Sequence, residues 1–326
     1  MQISLLPALL LMSLTLLLSL FPKTQAQAQQ AQWPQKTYYR SIEANGYQVF
    51  YREAGDPSRP TLLLLHGYPA SSHAYRELIP LLSGHFHIIA PDNLGSGYSD
   101  KPNPDTTRYS FDLLAETMAA MTKALELKHY ILYMQDFGAP VGFRLMMMQP
   151  ERLSGLIVQN ANAYLDGLTA KRQAFFRRAA EDRSPAMVQK LYRVTGPQGV
   201  INTQYLRDVQ DRKEIMSPDS WSHDLYHLAT PEQRNIQVQL FQDYQSNIDA
   251  YPKWQTFLRQ QQPPTLIVWG KRDPAFIFPG ATAYLRDVPK AEVHLLDAGH
   301  FSVEEKPVAI AKLIIDFVNQ LPNHSR

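Results

Sequence analysis

Six short, almost wholly apolar runs recur along the chain, each ending at a turn residue or a polar pair: "PTLLLLHG", "FHIIAPD", "HYILYMQD", "LSGLIVQN", "PTLIVWGKRD" and "AEVHLLDAGH". Runs of this length without alternation suit parallel strands covered on both faces. "YQVFYREAG" alternates instead, as a strand with one wet face does. Between several of these runs lie helical patterns. "SFDLLAETMAAMTKALEL" has apolar spacings of three and four, and Ser110 stands as its N-cap. Strand–helix alternation predicts an α/β fold, a doubly wound, mostly parallel sheet. The alternation stops over residues 161–257, which are helical in pattern and rich in Gln, Arg and Tyr, and resumes at "PPTLIVWG". The sheet needs the strands on both sides of that stretch. The expected organisation is therefore a core in two parts, 37–160 and 258–326, with a helical cap over 161–257.

The first 21 residues are apolar except for a few Ser, Thr and Gln, and "PKTQAQAQQAQ" follows. Small residues there mark a cleavage site near Ala26 or Ala28, so residues 1–28 read as a signal peptide. The same run is nearly long enough for an uncleaved membrane anchor. Either way the domain is expected outside the cytoplasm, periplasmic or secreted. The 326 residues are 44% hydrophobic and 19% charged with a formal charge of +2, and no basic run suggests a nucleic-acid partner. Cysteine is absent, which excludes disulfides, thiolate catalysis and zinc–thiolate sites. No P-loop and no G-x-G-x-x-G follows a strand, so neither an organic cofactor nor a metal is expected.

Ligands of open α/β sheets bind at the carboxyl ends of the strands. Four polar motifs fall at such ends: "HGYP", "QDFG", "GKRDP" and "AGHFS". In the second, Asp136 sits between a strand and a helix that starts near Gly138, with Pro140 in its first turn, where a missing N–H costs nothing. Asp136 is thus either a helix cap or a nucleophile whose charge the helix N-terminus favours. His300 follows the last strand, ahead of a helix whose start Ser302 and Glu305 mark as a capping box. Asp273 ends the preceding strand and is placed to hold the His300 ring in one tautomer. Ser96, in "LGSGYSD", has no helix directly after it and reads as a structural turn residue.

"HGYPASSHAYRELIPLL", "IIAPDNLGSGYSDKP", "QDFGAPVGFRL", "VWGKRDPAF" and "GHFSVEEKP" together make the chain resemble the aspartate-nucleophile branch of the α/β-hydrolases, the epoxide hydrolases and haloalkane dehalogenases. The resemblance runs from about Tyr47 to the end and is weaker in the cap. It implies an α/β-hydrolase fold with an inserted lid and the chain order nucleophile, acid, base: Asp136, Asp273, His300. It also implies an oxyanion hole from the backbone N–H groups of Tyr68 and Phe137. Serine members carry G-x-S-x-G at the elbow; here it is Met-Gln-Asp-Phe-Gly. A carboxylate attacking saturated carbon leaves an ester that water can cleave, whereas a serine would leave an ether. Epoxide opening needs an acid, and Tyr244 in "LFQDYQSNIDAYPKW" falls where such enzymes place one tyrosine. The best match to their second tyrosine carries Phe175. Tyr164, Tyr192, Tyr205, Tyr226 and Tyr251 are candidate substitutes. His66, Pro69, Phe175 and Phe301 are assigned to the substrate pocket, His66 alternatively to loop structure. The expected reaction is hydrolysis of a small apolar epoxide to a diol with water. Carbon–halogen hydrolysis is the alternative, although neither Tyr68 nor Phe137 offers a side-chain N–H to a halide. A non-catalytic binding protein of the same fold is the third reading.

Overall fold

The computed structural model of the chain describes residues 35–321. The expected signal segment lies outside them. Among the described residues no helix is long and apolar enough to cross a membrane.

Eight strands form one sheet: β1 (Tyr38–Ala44), β2 (Tyr47–Ala54), β3 (Thr61–Leu65), β4 (His87–Pro91), β5 (Tyr130–Gln135), β6 (Leu153–Gln159), β7 (Thr265–Gly270) and β8 (Glu292–Leu296). Their spatial order is β1-β2-β4-β3-β5-β6-β7-β8. β1, β2 and β4 pair antiparallel, and every other neighbouring pair is parallel. The unbroken apolar runs have a direct cause. Successive side chains of a strand point to opposite faces. In β3, Leu63 and Leu65 enter one hydrophobic cluster while Leu62 and Leu64 enter the other. β5 divides in the same way, Leu132 and Met134 against Ile131 and Tyr133. Both faces are dry, so no polar alternation survives. β1 has the opposite character. It is an edge strand with mostly exposed side chains, so it gives no periodic signal.

Helices cover both faces. α1 (Leu78–Leu82), α2 (Phe111–Ala124) and α3 (Gly138–Met148) precede β6. Ser110 caps α2 as expected, its hydroxyl accepting from the Leu113 N–H. Between β6 and β7 lie α4 (Ala170–Glu181), α5 (Pro185–Val194), α6 (Pro218–Tyr226), α7 (Pro231–Asp243) and α8 (Gln245–Gln261), with no strand among them. α9 (Pro279–Ala283), α10 (Ser302–Glu305) and α11 (Pro307–Gln320) complete the core.

The capping box expected at α10 does not form. Phe301 is the N-cap and makes no side-chain bond. Ser302 is already helical, and its hydroxyl donates to the Gly299 carbonyl at 2.7 Å, beside Asn160 Oδ1 at 3.2 Å. Glu305 accepts from the Gly299 N–H at 2.6 Å and from Arg272 at 2.7 Å. Polar backbone buried at the strand end must find partners, and it draws both side chains away from the helix start.

Candidate active site

Asp136 stands between β5 and α3 with φ 49°, in the left-handed region. A non-glycine residue there is strained by about 1 kcal/mol, and such strain concentrates at functional positions. The strain turns the chain sharply enough to aim the carboxylate over the sheet edge. Two glycines make the turn possible. A Cβ on Gly67 would lie 2.3 Å from the Asp136 Cβ, and one on Gly138 would lie 2.3 Å from the Leu65 carbonyl oxygen. Neither contact is sterically tolerable. Gly67→Ala is therefore expected to push the loop after β3 off the elbow and to cost about 1–3 kcal/mol of stability. A wild-type urea midpoint for this variant would show that the approach is not needed.

The two oxygens of Asp136 face different partners. Oδ1 accepts the Tyr68 backbone N–H at 2.7 Å. Oδ2 lies 3.4 Å from His300 Nε2. His300 Nδ1 lies 2.7 Å from Asp273 Oδ2. Asp273 is held from every side: Oδ1 accepts the N–H groups of Ala275 (2.7 Å) and Phe276 (3.0 Å), and Oδ2 the Asn160 side-chain amide (2.9 Å). All three groups are buried. Burial alone would lower the His300 pKa. The charges of Asp273 and Asp136 outweigh it and raise the value to about 10. Burial would raise Asp273, but His300 and the donors around it bring its pKa below the ordinary carboxylate value. The imidazole is thus held as a cation between the carboxylates of Asp273 and Asp136.

The cap closes over this group. Tyr244, between α7 and α8, is buried in rings: Phe176 stacks on it at 3.8 Å, and Phe137 and Phe111 lie at 5.3 and 5.9 Å. Burial pushes its hydroxyl pKa well up, and the nearby Tyr251 and Asp136 push the same way. The buried Tyr251 hydroxyl lies beside that of Tyr244.

The other expected residues divide. Phe301 packs at 5.2 Å against the His300 ring, and Pro69 is buried beside Tyr68. Phe137 follows the elbow and contacts Tyr68 at 5.8 Å. Phe175 and its neighbour Phe176 face different partners. The ring on Tyr244 is Phe176, and Phe175 instead meets Phe241 and lines a cavity on the lid. A helix turns adjacent residues about 100° apart, so the two rings lie on different faces. His66 is not in a pocket. Its Nδ1 bonds the Gly67 carbonyl at 2.9 Å within its own loop, and its Nε2 accepts the Asn93 N–H at 2.9 Å, which ties that loop to the one after β4. Of the candidate second tyrosines, Tyr164 and Tyr205 bond Asp287 and Asp224, Tyr192 donates to the Pro231 carbonyl, Tyr226 is exposed, and Tyr251 lies beside Tyr244.

Two residues were missed. Asn160 supports Asp273 and also accepts the Gly270 N–H at 3.0 Å. It ends the run "LSGLIVQN", and the rule that placed the four motifs at strand ends applies to it equally. Asp208 accepts the His300 backbone N–H at 2.9 Å. It comes from the irregular part of the cap, where no periodicity marks it.

A family model described as the alpha/beta hydrolase fold matches residues 60–307. An uncharacterized hydrolase of Saccharomyces cerevisiae is 40% identical over 275 residues, covering 83% of this chain and 93% of its own. A haloalkane dehalogenase of Mycolicibacterium paratuberculosis is 26% identical over 318 residues, covering 89% of this chain and 94% of its own. Among solved structures, the epoxide hydrolase CorEH without ligand superposes with a TM-score of 0.72 at 19% identity, covering 88% of this chain and 100% of that one.

Proposed function

The chain belongs to the alpha/beta hydrolase fold family, and from that premise we propose that it works through an aspartyl ester and hydrolyses an epoxide to a vicinal diol. The observation that carries this reading is the division of labour between the oxygens of Asp136. Oδ1 rests on the Tyr68 N–H, and Oδ2 stands free toward the base. Oδ2 attacks a ring carbon, the carbon–oxygen bond opens, and the departing oxygen takes the proton of the Tyr244 hydroxyl, with Tyr251 behind it.

Esterification removes the charge of Asp136. One of the two carboxylates that hold His300 protonated is then gone, and its pKa falls. His300 gives up its proton through water to the Tyr244 phenolate. The neutral imidazole then takes a proton from a second water, whose oxygen attacks the ester carbonyl carbon; that proton passes to the diol oxygen as the acyl bond breaks. The resulting oxyanion forms on Oδ1, already beside the Tyr68 N–H, and the Phe137 N–H is the second donor that the family resemblance implies. Collapse releases the diol and leaves one oxygen of the water in Asp136. Catalysis of this kind lets the same histidine rest as a cation and act as a base.

Halide release fits these residues less well. Trp254 stacks on Phe143 at 4.6 Å, Trp221 packs on Tyr205, and the Trp269 indole N–H donates to the Phe276 carbonyl. Export of the mature protein belongs to the same proposal, on the strength of the apolar N-terminal run and the small-residue site behind it.

The reading is tested by a single turnover of a terminal epoxide in heavy-oxygen water, with enzyme in excess. The diol should carry no heavy oxygen, and one heavy atom should appear in the peptide containing Asp136. Heavy oxygen in the first-turnover diol would mean that water attacks the ring directly, and the ester mechanism would fall.

A further inference from the structure

Beside the site, the cap holds a cavity of about 630 Å³ whose wall is strongly basic: Lys171, Arg172, Arg178, Lys190 and Arg207 line it, and no carboxylate does. Arg178 and Arg207 are already paired, with Asp182 at 3.5 Å and Asp208 at 2.6 Å. Among the described residues no acid pairs with Arg172, Lys171 or Lys190. The two lysines are exposed, whereas Arg172 is only partly so. The Arg172 guanidinium lies 6.0 and 5.9 Å from the ring centres of Phe175 and Phe176, and the Lys190 ammonium lies 5.3 Å from that of Phe175. Such contacts hold a cation in place without neutralising it.

This cavity adjoins the site through residues next in the chain to its lining: Phe176 follows Phe175, which lines it. Phe176 is the ring stacked on Tyr244. Pro274 adjoins Asp273, and Arg207 grips the same Asp208 that accepts the His300 N–H. Burial and the charge of Arg207 lower the Arg172 pKa, while Asp273, Tyr244 and Asp136 act against that lowering. The guanidinium therefore lies within electrostatic reach of the reacting groups. Phe175, Ala174 and Pro274 add apolar surface to the basic wall.

We propose that this cavity takes the carboxylate of an amphiphilic substrate, with Arg172 as its main contact and the apolar wall along the stem. A guanidinium offers a planar fork that matches two carboxylate oxygens, and an unpaired one is free to do so. The substrate is then an epoxide carried on an acidic chain, not the small apolar molecule expected from sequence. The epoxide half of that statement rests on the ester mechanism above; the acidic half does not.

Binding separates the two. Calorimetry with undecanoate and undecanamide on the full chain should show the acid binding about tenfold or more tightly, a preference that weakens with salt. Arg172→Gln should remove the preference, and Arg172→Lys should restore part of it. With ω-epoxy carboxylates and their amides, the loss in Arg172→Gln should lie in KM for the acid. Equal binding of acid and amide by the wild type overturns the proposal. So does an Arg172→Gln variant that keeps the preference, or one that loses kcat on acid and amide alike, which would place the guanidinium on the departing oxygen. If undecanoate binds through Arg172 while no epoxide is hydrolysed, the anion site stands and the epoxide mechanism falls.

Discussion

Asp136→Ala should lower epoxide turnover by about ten thousand-fold or more, because no other group can form the ester, and losing a nucleophile removes the covalent route entirely. The fold should survive. Asp136 is at a helix start and its backbone strain would persist, but Ala leaves no buried charge behind. The sharper variant is Asp136→Asn, which keeps the shape and the carbonyl oxygen that accepts the Tyr68 N–H. It also imitates the uncharged ester. One of the two carboxylates raising His300 is then gone, so the imidazole should titrate well below the value of about 10 it has in the resting enzyme. Proton NMR of the His300 ring measures this directly. The linkage has a defined sign. A histidine whose folded pKa is raised stabilises the fold fully below about 6.5, and that contribution is lost as pH rises through about 10. In Asp136→Asn the loss should begin at lower pH. Near-normal turnover in Asp136→Ala, or an unchanged His300 titration in Asp136→Asn, would refute the role given to this carboxylate.

Removing the base should stop the reaction halfway. His300→Ala is expected to accumulate the ester on Asp136, visible by intact mass after exposure to pooled epoxides and pooled haloalkanes. The variant carries a structural risk, because it leaves Asp273 buried without its cation, a change that costs about 3–5 kcal/mol when nothing replaces the partner. His300→Gln keeps an amide N–H for Asp273 and serves as the second form. The mass itself identifies the leaving group. An epoxide adds its full mass, since ring opening loses no atom; a haloalkane adds only its alkyl group. The first result, mapped to Asp136, would support both the nucleophile and the substrate class. The second would move the protein to carbon–halogen hydrolysis and leave Tyr244 as a packing residue. No adduct in either folded variant would remove His300 as the base that cleaves an ester.

The strands were legible because their physical requirement is local. A strand buried on both faces must be apolar at every position, and that requirement is written in "TLLLL" and "YILYMQ". The elbow was legible for a related reason: Gly138 and Pro140 suit a tight strand-to-helix turn, and they mark the place of Asp136. Chain order at the strand ends also brought Asp273 and His300 to the same edge. The cap was read only as helical. Its contribution to the site depends on which face of each helix turns inward. That is why Phe176, the ring stacked on Tyr244, was not singled out, and why Tyr251 could not be told from Tyr164 or Tyr205.

By itself, then, the sequence determined the doubly wound sheet, the helical insertion and the strand-end positions of the three charged groups, all consequences of periodicity and turn chemistry along a few neighbouring residues. Only the tertiary structure decided that Asp136 rests one oxygen on Tyr68 and turns the other to His300, that Asn160 and Asp208 hold the acid and the base, and that Ser302 and Glu305 serve a strand end in place of a helix cap. It alone gathered five cations on one wall of the cap. These contacts join residues distant in the chain, and their geometry comes from how the layers pack, which no local pattern records.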